Sequence, residues 1–206
     1  MTPGTAIFED DAFISAVHAE DLDAAGRQAG WVTIDETRLD RPQLATARLP
    51  QAQFHDVEIA GGDLANLAME RSGLTRVRIA QSRLTGVDLP EAQLEDVQFS
   101  GCAADMVSFR FASLRRVAFT DCSLRDADFS NAKLAHVSFA GCDLRGAQMS
   151  AVQLTKVDLR GANLESIGGL ADLKGAVIDP QQVIGIADQL AAAIGLVVAW
   201  PEETDR

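Results

Sequence analysis

The sequence predicts an all-β solenoid, a square coil of 20 residues per turn closed at its C-terminal end by an α-helix. Three features point there. A large apolar residue recurs at every fifth position from Leu39 to Leu164, 26 consecutive places with Ala104 the one exception. A row of small or β-branched residues runs two places ahead of it, as in Ala47, Ala52, Val57, Val137 and Cys142. Residue types then repeat at a spacing of 20, as Val57, Val77, Val97, Val117, Val137 and Val157, or as Phe99, Phe119 and Phe139.

A period of five fits neither the 3.6 of a helix nor the 2.0 of a plain strand. It fits a chain that turns a corner every five residues, with two side chains pointing in and three pointing out. Four sides close the coil, and successive coils stack at about 4.8 Å, the spacing of paired strands. Stacked neighbours must pack like on like, so each column keeps one residue type. Phe109 and Phe129 form a further column, and so do Cys102, Cys122 and Cys142.

The elements follow in order. Residues 1–33 leave the phase: Phe8 and Phe13 are out of register with Leu39, and Ala19–Gly30 is polar and Ala-rich. An N-terminal cap with one imperfect coil is expected there. The β-helix is expected over 34–166, and a capping helix and strand over 167–206. The helix starts at Asp179-Pro180-Gln181-Gln182, a capping Asp, a first-turn Pro and a Gln three residues on. Val183, Ile184, Ile186, Ala187, Leu190, Ala191 and Ile194 form its apolar face, Gly195 ends it, and Leu196–Trp200 reads as a last strand. This apolar surface exceeds what one cap needs. A twofold dimer contact is expected through Val183, Ile186, Ala187, Leu190, Ile194, Leu196, Val198 and Trp200.

Composition excludes several functions. The net charge is −12, and aromatics are 5%, with no Tyr. Direct binding to nucleic acid or to anionic lipid is therefore not expected. MTPGTAIFEDD has neither a basic start nor a long apolar run, and Asp188 and Gln189 interrupt the most apolar stretch. A cytoplasmic protein is expected. Three cysteines do not suggest a disulfide scaffold. Their column reads as small buried residues rather than a metal or redox site. His18, His55 and His136 lie far apart, and the pairs Glu95-Asp96, Asp126 with Asp128, and Asp10-Asp11 have no evident cleft. No catalytic residue, cofactor or metal is expected.

The charge is unevenly placed, with nets of −6 over residues 1–41, −2 over 42–165 and −4 over 166–206. The column Asp56, Arg76, Asp96, Arg116, His136 and Lys156 mixes signs. A partner-binding acidic side would have to use Asp88, Glu91, Asp105, Asp126 and Asp128. Next to Ala104, Met106 and Phe111 fall at outward positions. A local shift that tucks Met106 into the space left by Ala104 is the preferred reading, and an exposed docking spot is the alternative.

Stretches such as FTDCSLRDADFSNAKL (119–134) and VDLRGANLES (157–166) resemble the pentapeptide-repeat family. The resemblance covers roughly residues 34–166 and implies a right-handed four-sided β-helix. Residues 168–198 resemble the C-terminal module of the quinolone-resistance members, the Qnr and MfpA type, which makes a head-to-head dimer. In those relatives an acidic rod occupies the DNA-binding saddle of gyrase. The resemblance thus implies a non-enzymatic DNA mimic acting on DNA gyrase or a related topoisomerase, able to protect against quinolone-type poisons. A generic interaction scaffold is the alternative. No insertion interrupts the coils, so the projecting loops of Qnr-type relatives are absent, as they are from mycobacterial-type relatives.

Overall fold

A computed structural model describes residues 8–198. The five-residue period builds a parallel β-solenoid whose four sides are not equivalent. Side 1 is an eight-stranded parallel sheet running from β1 (Phe13–Ser15) to β15 (Gln153–Thr155). Side 2 has seven strands, from β2 (His18–Glu20) to β14 (Ser138–Ala140). Each strand pairs with the residue 20 positions on, as in Ile34↔Phe54 and Phe99↔Phe119. Sides 3 and 4 are joined by single bridges, as in Asp63↔Arg83 and Asp88↔Ser108. They end in tight turns closed by bonds such as Ala47 N–H to Leu44 O, 3.1 Å.

The corner explains the period. At the second residue after each inward large side chain the backbone is left-handed, with φ between 43° and 62° at 25 non-glycine positions. That reversal swings the chain through the corner and returns the next side chain to the interior. It strains most side chains, so Gly, Asn and Asp are the natural occupants. Gly62 serves a different need: a Cβ there would fall on the backbone of Pro42 one coil below.

The interior is a stack of like residues. Phe99, Phe119 and Phe139 lie parallel, with centroids 4.8 and 5.0 Å apart. Phe109 and Phe129 stack at 5.1 Å and meet the first column edge to face. The small inward row accepts polar residues when their hydroxyl finds a carbonyl. Thr37 donates to Asp35 O at 2.8 Å, and Ser82 donates to Ala80 O at 2.9 Å and Gly61 O at 2.7 Å. The cysteine column does the same with thiols, Cys122 lying 3.3 Å from Thr120 O. Among the described residues every buried side-chain N or O has a partner.

The phase is intact at Ala104. An apolar cavity of about 30 Å³ runs along the core from the level of Phe54 to that of Phe119, and Ala104 lines it together with Leu84, Phe99 and Phe109. Met106 does not fill it: the side chain is 58% exposed. The expected tuck is corrected, because a left-handed corner residue points away from the core.

Both ends differ from expectation. The coil is regular from β1 onward, with Ile14↔Ile34 and Ala19↔Leu39 in register. The inward places here hold Ala19, Ala24 and Ala29, so the row of large residues fades while the backbone phase continues. Phe8 is buried against this start of the core, and Phe13 is outward and exposed.

At the other end Gly169, φ +77°, sits so close to the backbone of Met149 and Ser150 that only glycine fits. The chain then leaves the coil through a 3₁₀ turn, Leu170–Asp172. The expected single helix is two, α1 (Pro180–Gly185) and α2 (Ala187–Ala193), broken at Gly185-Ile186. The capping box of Asp179 and Gln182 is present, and Gly195 is left-handed at the end of α2. Leu196–Val198 form no strand; Leu196 N–H instead bonds Ala191 O at 2.8 Å. Trp200 lies outside the described residues.

Candidate functional site

The three outward residues of each pentad make the surface, and a charge placed there stacks on the residue 20 positions away. Arginines accordingly pair with carboxylates of neighbouring coils. Arg76 meets Asp56 at 2.5 Å, Arg78 meets Glu58 at 3.0 Å, and Arg83 meets Asp63 at 3.0 Å. Arg116 bonds Asp96 at 2.5 Å, and both Arg115 and Arg116 contact Glu95. These guanidinium hydrogen bonds hold the carboxyls of Asp56 and Asp96 below the ordinary Asp value. Arg160 takes Asp158 down to about 2. The mixed-sign column of the sequence is therefore an ion-pair ladder. Exposed pairs of this kind add little stability, but they cancel the field of the rod's middle.

Three of the five carboxylates expected on the acidic side take part in such pairs. Glu91 pairs with Arg71 at 3.2 Å, Asp105 with Arg125 at 2.8 Å, and Asp128 lies 3.6 Å from Arg110. Partial burial pushes the Asp105 carboxyl up, but hydrogen bonds from Arg125 and Ser123 outweigh it and hold it low. Only Asp88 and Asp126 of the five are exposed without an ion pair among the described residues. The five share one region: Asp88, Glu91 and Asp128 are on side 4 or its far corner, and Asp105 and Asp126 lie at the end of side 3. The charges are plain in the sequence, and the 20-residue spacing there already puts Arg71 beside Glu91 and Arg125 beside Asp105; Arg110, 18 residues from Asp128, is off that spacing. Among the described residues, carboxylates without an ion pair are denser toward the ends, as Glu9, Asp10, Asp11, Asp23, Asp35 and Glu36, and as Asp172 and Asp188, than in the middle, where Glu70, Asp88, Asp121 and Asp126 lie.

The same region carries Met106 and Phe111, 58% and 55% exposed, at the two corners that bound side 4 in one coil. The guanidinium of Arg110 lies 5.8 Å from the Phe111 ring centre.

At the C-terminal end the residues expected to form one contact face have different neighbours. Ile186 is buried and Leu190 half-buried, both against the end of the core, so they belong to the cap. Val183, Ile194, Leu196 and Val198 are exposed, as are Ile184 and Val197, and Ala187 faces outward too. An open cleft of about 520 Å³ separates the last coil from α1. Its polar groups are in use: Gln182 donates to Leu159 O at 2.6 Å and Ala162 O at 2.7 Å, and Asp179 accepts from Gly161 N–H at 3.0 Å.

Cys102, Cys122 and Cys142 are buried and free of disulfides. Contact with the Cys122 thiol, and then burial, pushes the Cys102 and Cys142 thiols well above the ordinary range. His18, Glu20 and Asp40 draw together on side 2, but Arg38 and Arg41 already satisfy the two carboxylates. Among the described residues no helix is long and apolar enough to cross a membrane.

The pentapeptide repeat region matches the chain over residues 72–149 and, in an overlapping match, over 98–168. No curated protein matches the chain in sequence. Among solved structures, a trypsin-treated form of QnrB1, a plasmid-mediated fluoroquinolone resistance protein, is 17% identical, with a TM-score of 0.37 over 93% of this chain and 99% of that one. HetL, involved in heterocyst differentiation regulation in the cyanobacterium Nostoc sp. strain PCC 7120, is 18% identical, with a TM-score of 0.38 over 84% and 90%. A pentapeptide repeat protein of the Arabidopsis thaliana thylakoid lumen is 20% identical, with a TM-score of 0.27 over 61% and 71%.

Proposed function

We propose that the pentapeptide repeats of this chain build a non-catalytic, protein-binding rod that modulates DNA gyrase or a related topoisomerase in the cytoplasm, competing with DNA for a basic surface. The observation that carries this reading is the charge. The chain has a net of −12, its carboxylates without ion pairs gather toward the two ends, and its interior is packed with side chains. A rod of this kind offers a partner an acidic surface on a stiff backbone, which is what a basic DNA-binding groove accepts. The sequence resemblance of the repeats and of the C-terminal segment supports gyrase as the partner. Two copies joined through their exposed C-terminal apolar residues would form the working particle.

A second reading has its own support. The Asp56–Arg76 and Asp96–Arg116 pairs remove the stripe of negative charge that a duplex mimic needs along that corner. A scaffold for another partner uses the same rod without mimicry.

Titration of the purified protein into a gyrase supercoiling reaction, with and without a quinolone, separates them. Inhibition, or rescue from the drug, that weakens steeply between 50 and about 200 mM salt is the expected result for electrostatic competition. No effect at tens of micromolar removes gyrase and leaves the scaffold.

A further inference from the structure

Met106 and Phe111 stand where neither the core nor the backbone asks for them. Both hold left-handed corners, φ 58° and 59°, and both are more than half exposed. Neighbouring coils put Gly86, Asp126 and Gly146 in the Met106 column, and Glu91 and Asn131 in the Phe111 column. A large apolar side chain in a strained corner that stays more than half exposed gains little from folding, so its use lies outside the fold.

The charges around the pair define what fits. Side 4 between them carries Ser108, bridged to Asp88 on one side and Asp128 on the other. Asp128 neutralises Arg110, and Arg71 neutralises Glu91. Asp88 and Asp126 have no ion pair among the described residues, so the uncompensated charge at this patch is acidic. We propose that side 4 at Met106–Phe111 is the docking surface for a cationic amphipathic segment of a partner protein. Two apolar side chains of that segment seat on Met106 and Phe111, and its Lys or Arg residues face Asp88 and Asp126. The proposal rests on the protein-binding reading above and assigns it a place and a partner chemistry.

The test uses the full chain and two fluorescein-labelled peptides of equal Lys content, one a two-faced Leu/Lys helix and one Lys/Ser. The variant Met106→Gly with Phe111→Asn gives each position a residue already present one coil away in its own column. Circular dichroism should show it melting no lower than the parent. By anisotropy, the parent should bind the Leu/Lys peptide at least tenfold more tightly than the Lys/Ser peptide, and the variant should lose that preference. Asp88→Asn with Asp126→Asn should weaken both peptides and flatten their salt dependence. Equal binding of the two peptides, binding of neither, or a variant that holds the Leu/Lys peptide as tightly as the parent overturns the proposal. No gyrase enters this experiment, so its outcome and that of the supercoiling reaction are independent.

Discussion

Ala104 shows how sharply a single residue registers in a stack. Leu64, Leu84, Leu124 and Leu144 occupy its column, and the cavity of about 30 Å³ lies beside it. The void is lined by apolar atoms, so water gains no partners there and the space costs packing energy. Ala104→Leu should restore the column and raise stability by about 1 kcal/mol, read as a rise of a few degrees in the melting midpoint. A fall in the midpoint would mean that Phe99 and Phe109 have closed too far to admit a branched side chain. The sequence made Ala104 conspicuous because every other position in the row is large. It did not show where Met106 goes, since that depends on the left-handed corner, a backbone property that residues as different as Gly, Asp, Arg and Phe all adopt here. Side-chain identity reveals a corner only when glycine or asparagine occupies it.

The C-terminal elements matter because a parallel coil ends in an open edge. The last coil presents backbone N–H and C=O groups with no next coil to meet them. Asp172 accepts from Ala151 N–H at 2.8 Å, Asp179 accepts from Gly161 N–H, and Gln182 donates to two carbonyls of the same coil. The capping box that starts α1 therefore also closes the solenoid, and each of its two side chains serves both. Gln182→Ala should cost about 1–3 kcal/mol, more than a surface cap, because two carbonyls lose their partner together. Urea unfolding monitored by circular dichroism measures it, and a midpoint unchanged within error would show that water replaces the amide freely. The cap's start was legible in Asp179-Pro180-Gln181-Gln182, a purely local pattern. The break at Gly185-Ile186 was not, because Ile186 turns inward to the end of the core, a tertiary demand that helical spacing does not encode. At the N-terminal end the reverse held: local composition changed to alanine while the coil went on, and pairing with the next coil kept it in phase.

At the scale of the molecule, seven coil rises at about 4.8 Å give a rod about 34 Å long, stiffened by two continuous sheets and carrying its uncompensated acid toward its ends. What the cap leaves exposed decides how such rods associate. Ile186 and Leu190 face the core, whereas Ile184 at 78%, Ile194 at 76% and Val197 at 91% are exposed. Apolar side chains exposed together at one end form a patch that a twofold contact buries without touching the coil. The chain should sediment at twice its mass at micromolar concentration, and Ile184→Glu with Ile194→Glu should return it to a monomer with its melting midpoint unchanged. Leu190→Glu is a poor probe of the same contact, since it would put a charge against the end of the core and loosen the cap. If the parent sediments as a monomer, the rod acts singly and the C-terminal patch is free for another protein. If the double variant stays dimeric, the contact lies elsewhere, and the acidic N-terminal ends need not point apart as a contact through the C-terminal patch would place them.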